Sequence, residues 1–130
     1  MKKEVGLWID RRKAAIVTVT DEEVKMRYII SDIDHHFRFA GGVPEFRDDD
    51  IIDRRLENNL KKYYDKVILD IKDAHSILIF GPGEAKIELK KRMTNKLFVG
   101  KKVHIETEDK MTDNQITAKV RQYFLNSKTS

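Results

Sequence analysis

One stretch constrains this chain more than any other: His75 to Met93, reading HSILIFGPGEAKIELKKRM. Ile77-Leu78-Ile79-Phe80 is an unbroken apolar run, and Gly81-Pro82-Gly83 stops it. From Glu84 onward, apolar residues return at Ala85, Leu89 and Met93, steps of four that mark one helical face. A short strand that is apolar on both sides and followed at once by a helix predicts a central strand covered by helices. The glycines permit a sharp turn, while Pro82 fixes its own φ and pushes Gly81 towards an extended shape. The first N–H groups of the new helix then point outward, where an anion is favoured. The same residues also suit a plain strand-to-helix turn with no ligand.

The rest of the chain supplies what such a unit packs against. Val5, Leu7 and Ile9 alternate with Gly6, Trp8 and Asp10, the period of a strand. Arg11-Arg12-Lys13 is a polar connection, and the β-branched run Ala14 to Val19 predicts a hairpin partner. After Asp21-Glu22-Glu23, a third strand is marked by Val24, Met26, Tyr28 and Ile30. Asp48-Asp49-Asp50 offers an N-cap and negative charge to a long helix whose stripe runs Ile52, Leu56, Leu60, Tyr63, Val67 and Ile71. Val103 to Thr107 alternates like an edge strand. Thr112 with Gln115 forms a capping-box pattern ahead of a last helix that buries Ile116, Val120, Tyr123 and Phe124. Residues 126–130 are expected to fray. The order βββ, loop, α, β, α, β, α predicts one α/β domain, a five-stranded mixed sheet with helices on both faces. Ribonuclease H-like folds share that order, an analogy that assigns no function.

Composition narrows the classes. A chain of 130 residues is one domain of ordinary size. The absence of cysteine excludes disulfides, thiolate metal sites and Cys nucleophiles. The apolar run near the N-terminus is interrupted by Asp10, too short for a signal peptide, and no segment approaches the roughly 20 apolar residues of a membrane span. No membrane partner and a cytoplasmic location are therefore expected, with oligomeric state left open. Between Glu84 and Lys102, seven basic residues stand against two acidic ones. A local basic excess of that kind suits a phosphate-rich partner, though a solvated helix face has the same look. Gly81, Gly83, Lys86, Lys90, Lys101 and Lys102 are the candidate phosphate- or RNA-binding residues, with Glu84 opposing them at the helix start.

From Asp32 to Asp50 no period holds, and loops of that length in small domains are usually functional or mobile. His35, His36, Gly41, Gly42 and Val43 are the loop's candidate functional residues. Adjacent histidines diverge on an extended chain, and His75 and His104 are isolated, so no metal or other cofactor is expected. GPGEAKIE lacks the second Gly-Lys of a P-loop. A two-metal nuclease needs converging carboxylates, and beside Asp10 and Glu57 the central strand offers glycine where one is wanted. Ser76 has no nucleophile motif around it. No catalytic residue is assigned.

Taken together, VGLWIDRRKAAIVTV, the loop with FAGG, the long helix and ILIFGPGEAKIEL resemble the middle domain of archaeal and eukaryotic class I release factors, shared by Pelota and small release-factor-like proteins. The resemblance spans about Glu4 to Leu125. In release factors the corresponding loop carries the Gly-Gly-Gln that enters the peptidyl transferase centre. Here Gly41 and Gly42 match, and Val43 stands where the glutamine would be. Valine cannot position a hydrolytic water, so the resemblance implies a non-catalytic binding protein of the translation apparatus, with the ribosome or tRNA as partner. A hydrolase that uses another loop residue, a degenerate nuclease and a protein-interaction scaffold are the alternatives.

Overall fold

Strand β1 (Glu4–Ile9) lies at the middle of a five-stranded sheet whose order is β3-β2-β1-β4-β5. Its neighbours are β2 (Lys13–Val19), antiparallel, and β4 (Ser76–Gly81), parallel. The sheet is completed by β3 (Val24–Ile30), antiparallel to β2, and β5 (Lys102–Thr107), parallel to β4. The helices are α1 (Asp49–Ile71), α2 (Ala85–Arg92), the single turn α3 (Asn95–Phe98) and α4 (Asp113–Thr129). The computed structural model describes residues 3–31 and 49–129. The expected loop, with His35, His36, Gly41, Gly42 and Val43, lies outside the described residues.

The open, mixed sheet with helices on both faces is the expected α/β architecture. One face packs Val5, Leu7, Ile9, Ile77 and Ile79 under α1 and α2, which contribute Tyr63, Val67, Ile71 and Leu89. The other packs Trp8, Val17, Leu78 and Phe80 under Ile116, Val120 and Phe124 of α4. β1 and the Ile77–Phe80 run of β4 are therefore buried on both sides, which is why the latter reads as a continuous apolar run. In β1 the alternation is one of size, because Gly6 lies beneath α4. A Cβ at Gly6 would stand 2.1 Å from Cγ2 of Val120. Glycine is what lets that helix close onto the sheet.

Helix ends account for several details. Thr112 and Gln115 form the expected reciprocal cap, each backbone N–H donating to the other's side-chain oxygen, at 2.9 and 3.2 Å. The final helix continues through Asn126 to Thr129, past the point of expected fraying. Helix α1 has no basic residue in its last turn. Lys101 supplies one from a distance: its ammonium donates to the carbonyls of Lys72 and, at 2.9 Å, Ala74. Unpaired carbonyls and a negative helix end attract such a group. α3 was not legible in the sequence, where NKLFVG has no helical period of its own.

Candidate nucleic-acid interface

The carboxyl ends of β1 and β4 lie side by side, and three connections meet there. The β1–β2 turn, Asp10 to Arg12, is built by Asp10, whose Oδ1 accepts from the N–H groups of Arg12 and Lys13, both at 2.8 Å. Short Asp side chains favour such turns, so Asp10 serves here as a turn residue and not, among the described residues, as one of a set of converging carboxylates. β3 ends beside it, with the Ser31 N–H donating to the Arg12 carbonyl at 2.8 Å and Ser31 Oγ donating to the Arg11 carbonyl at 2.7 Å. β3 therefore finishes at this end of the sheet. α1 reaches the same end, where its Tyr63 donates to the Asp10 carbonyl at 2.9 Å. At 1.5 Å per residue, Asp49 is about 21 Å further along the helix axis than Tyr63.

The third connection is Gly81-Pro82-Gly83. Gly81 has φ +147° and Gly83 φ +64°, both conformations that favour glycine. Glu84 caps α2 without a side-chain hydrogen bond. Against this turn lies a cleft of about 270 Å³ lined by Asp10, Arg11, Arg12 and residues 82–85. Its charges are largely spoken for. Arg11 makes a two-pronged ion pair with Glu88, at 2.6 and 3.2 Å, and the Tyr64 hydroxyl donates to the same carboxylate at 2.6 Å. Burial works against ionisation of Glu88, but the hydrogen bonds from Arg11 and Tyr64 outweigh it and hold the carboxyl below its usual range. The pair raises Arg11, and burial, helped by Glu88, pushes the Tyr64 hydroxyl up.

This cluster carries a pH-dependent share of stability. The folded-state pKa of Glu88 is depressed, so its contribution is fully present above the unfolded value of about 4.3 and is lost as the pH falls through the lower folded value. Glu88→Gln should cost about 1–2 kcal/mol at neutral pH, the scale of a partly exposed charge-assisted contact. Urea titrations of both proteins should converge as the pH drops below the unfolded value. A difference that stayed constant down to that range would contradict the assignment.

The expected phosphate-binding residues are not brought together. Lys86 is only 5% exposed, and its ammonium donates to the Gly83 carbonyl at 2.6 Å. It braces the turn from within. Lys101 caps the far end of α1. Lys102 pairs in register with Ser76, at the start of β5, whereas Gly81 pairs with Thr107 at its end. At about 3.3 Å per residue, roughly 17 Å of strand separates Lys101 and Lys102 from the glycine turn. Lys90 is exposed on α2 between the two ends. Sequence reasoning missed the Arg11–Glu88–Tyr64 cluster, whose members are 24 and 77 residues apart. Among the described residues, no group of three His, Asp or Glu side chains could hold a metal ion. No described helix is long and apolar enough to cross a membrane.

No family model matches the chain, and no curated protein sequence does. Solved structures do share its fold. The Thermoplasma acidophilum Pelota protein aligns at a TM-score of 0.56 and 13% identity, over 89% of this chain and 31% of Pelota. The Archaeoglobus fulgidus Pelota aligns at 0.56 and 11%, over 96% and 32%. The archaeal translation termination factor aRF1 aligns at 0.56 and 11%, over 98% and 39%. The chain thus has the fold of a Pelota or release-factor domain and spans about a third of the length of those proteins.

Proposed function

We propose that this protein is a non-catalytic binding protein of the translation apparatus, whose contact is with ribosomal RNA or tRNA. The observation that carries the reading is the likeness of nearly the whole chain to domains of two Pelota proteins and of a termination factor. The working end is taken to be the one where β1, β3 and β4 finish, because residues 32–48 follow β3 in the sequence. Val43 in place of the release factors' glutamine argues for binding without hydrolysis. The exposed basic residues of the candidate set, Lys90 and Lys102, then serve as peripheral phosphate contacts, while Gly81, Gly83, Lys86 and Lys101 shape the scaffold.

The test is co-sedimentation with purified ribosomes at low and moderate salt, with release of labelled peptide from ribosomal complexes followed in parallel. Salt-sensitive co-sedimentation with peptide release no faster than buffer is the expected result. Release well above buffer would replace the reading by a hydrolase. Absence of any ribosome or tRNA binding would leave the fold as a scaffold for other partners.

A further inference from the structure

We infer that the main phosphate contacts of this protein are made in the cleft on the α4 side of the β1–β2 turn, by Lys13 and Lys110, and that the ligand is the phosphodiester backbone of an RNA strand. The inference rests on the proposed function and assigns it a different surface from the glycine turn that the sequence favoured.

The cleft encloses about 570 Å³ and is lined by Trp8, Asp10, Arg12, Lys13, Lys110 and Met111. Lys13 and Lys110 face one carboxylate there, and Oδ1 of that carboxylate is already taken by the amides of the turn. The cleft on the α2 side has the opposite balance: Arg11 is neutralised by Glu88, and Glu84 adds a further negative charge. Among the described residues, neither Lys13 nor Lys110 forms an ion pair. The Lys13 ammonium instead sits over the rings of Trp8 and Tyr28, 5.8 and 5.5 Å from their centroids. Aromatic faces hold a cation in place without neutralising it, so its charge remains available to an incoming anion. The wall is also rigid. Trp8 is 2% exposed and donates from Nε1 to the Asp109 carbonyl at 3.1 Å, which fixes the loop bearing Lys110 against the sheet.

The same features select a backbone over a free nucleotide. Trp8 is too buried to stack on a base, and the glycine turn has no P-loop spacing to wrap a polyphosphate. Asp10 and Arg12 line both clefts, so the two adjoin across the turn and offer a strand a path. Recognition of this kind reads charge spacing and leaves base sequence unread.

The test measures fluorescence anisotropy of a labelled single-stranded oligouridine and of tRNA, from about 50 to 200 mM salt. Lys13→Gln/Lys110→Gln should weaken both by about tenfold and reduce the log–log salt slope by roughly 1.5, from two contacts at about 0.7–0.9 each. Lys90→Ala/Lys102→Ala should change affinity by less than about threefold under the same conditions. Should the first variant unfold, Lys110→Glu alone, on a loop outside the sheet, should still weaken binding several-fold. The reverse ranking of the two double variants would overturn the inference and leave the proposed function standing. Failure of wild type to bind either RNA would overturn both. Competition by ATP as effective as that by oligouridine, phosphate for phosphate, would assign the cleft to free nucleotides and also overturn it.

Discussion

Gly81→Ala should lower the stability of the protein by about 3–5 kcal/mol, a large part of what a domain of this size has. Gly81 ends β4 with φ +147°, where a side chain is strained whatever the space. Holding a non-glycine residue in such a conformation costs about 1–3 kcal/mol. The space is also missing, because an added Cβ would stand 2.3 Å from the carbonyl oxygen of Ile9 and 3.1 Å from its nitrogen. Those atoms belong to the central strand, held by β2 on one side and β4 on the other, so they cannot give way as a flexible side-chain tip would. Gly83, by contrast, has φ +64° but nothing within 4 Å of the place a Cβ would take, so Gly83→Ala should cost only about 1 kcal/mol. Urea denaturation of the two variants gives the comparison. Equal, small losses would show that the end of β4 repacks freely.

Gly6→Ala should cost about 2–4 kcal/mol, for a different reason. The new Cβ would meet the Val120 side chain at 2.1, 2.6 and 2.8 Å, while the backbone of Gly6 is ordinary strand. Val120 is fully buried and branched at Cβ, so it has little rotamer freedom and the helix itself must lift. Lifting α4 loosens Phe124 and Ile116 from Phe80 and Leu78. If the clash is local, Val120→Ala should be less damaging in the Gly6→Ala background than in wild type, by about 1–2 kcal/mol of coupling. Strictly additive losses would locate the cost elsewhere.

Much of this architecture was legible because burial leaves a period. The stripe of α1, the apolar run of β4 and the Thr112–Gln115 cap each follow from local rules, and each stands where those rules put it. In β3 the alternation holds only for Val24 and Met26, because Tyr28 and Ile30 are exposed at the sheet edge and Ile29 packs against the opposite core. The site was less legible. Lysines read as surface, yet a long apolar stem lets Lys86 lie buried and Lys101 reach a helix end from 27 residues away. Proximity in sequence made Lys86, Lys90, Lys101 and Lys102 look like one track, while a whole strand length divides Lys101 and Lys102 from the glycine turn that Lys86 braces. The cleft beside Trp8 was hidden for the converse reason. Trp8 and Asp109 are 101 residues apart and meet only once α4 closes over the sheet.

Hydrogen exchange of the protein with and without ribosomes tests the account most directly, because it reports which surface is covered as well as whether binding occurs. Slowed exchange is expected in residues 10–13 and 108–112, at the end of the sheet where the basic cleft opens, with little change across α2 and the start of β5. Slowed exchange centred on residues 86–102, or no change at ribosome concentrations that sediment the protein, would contradict it.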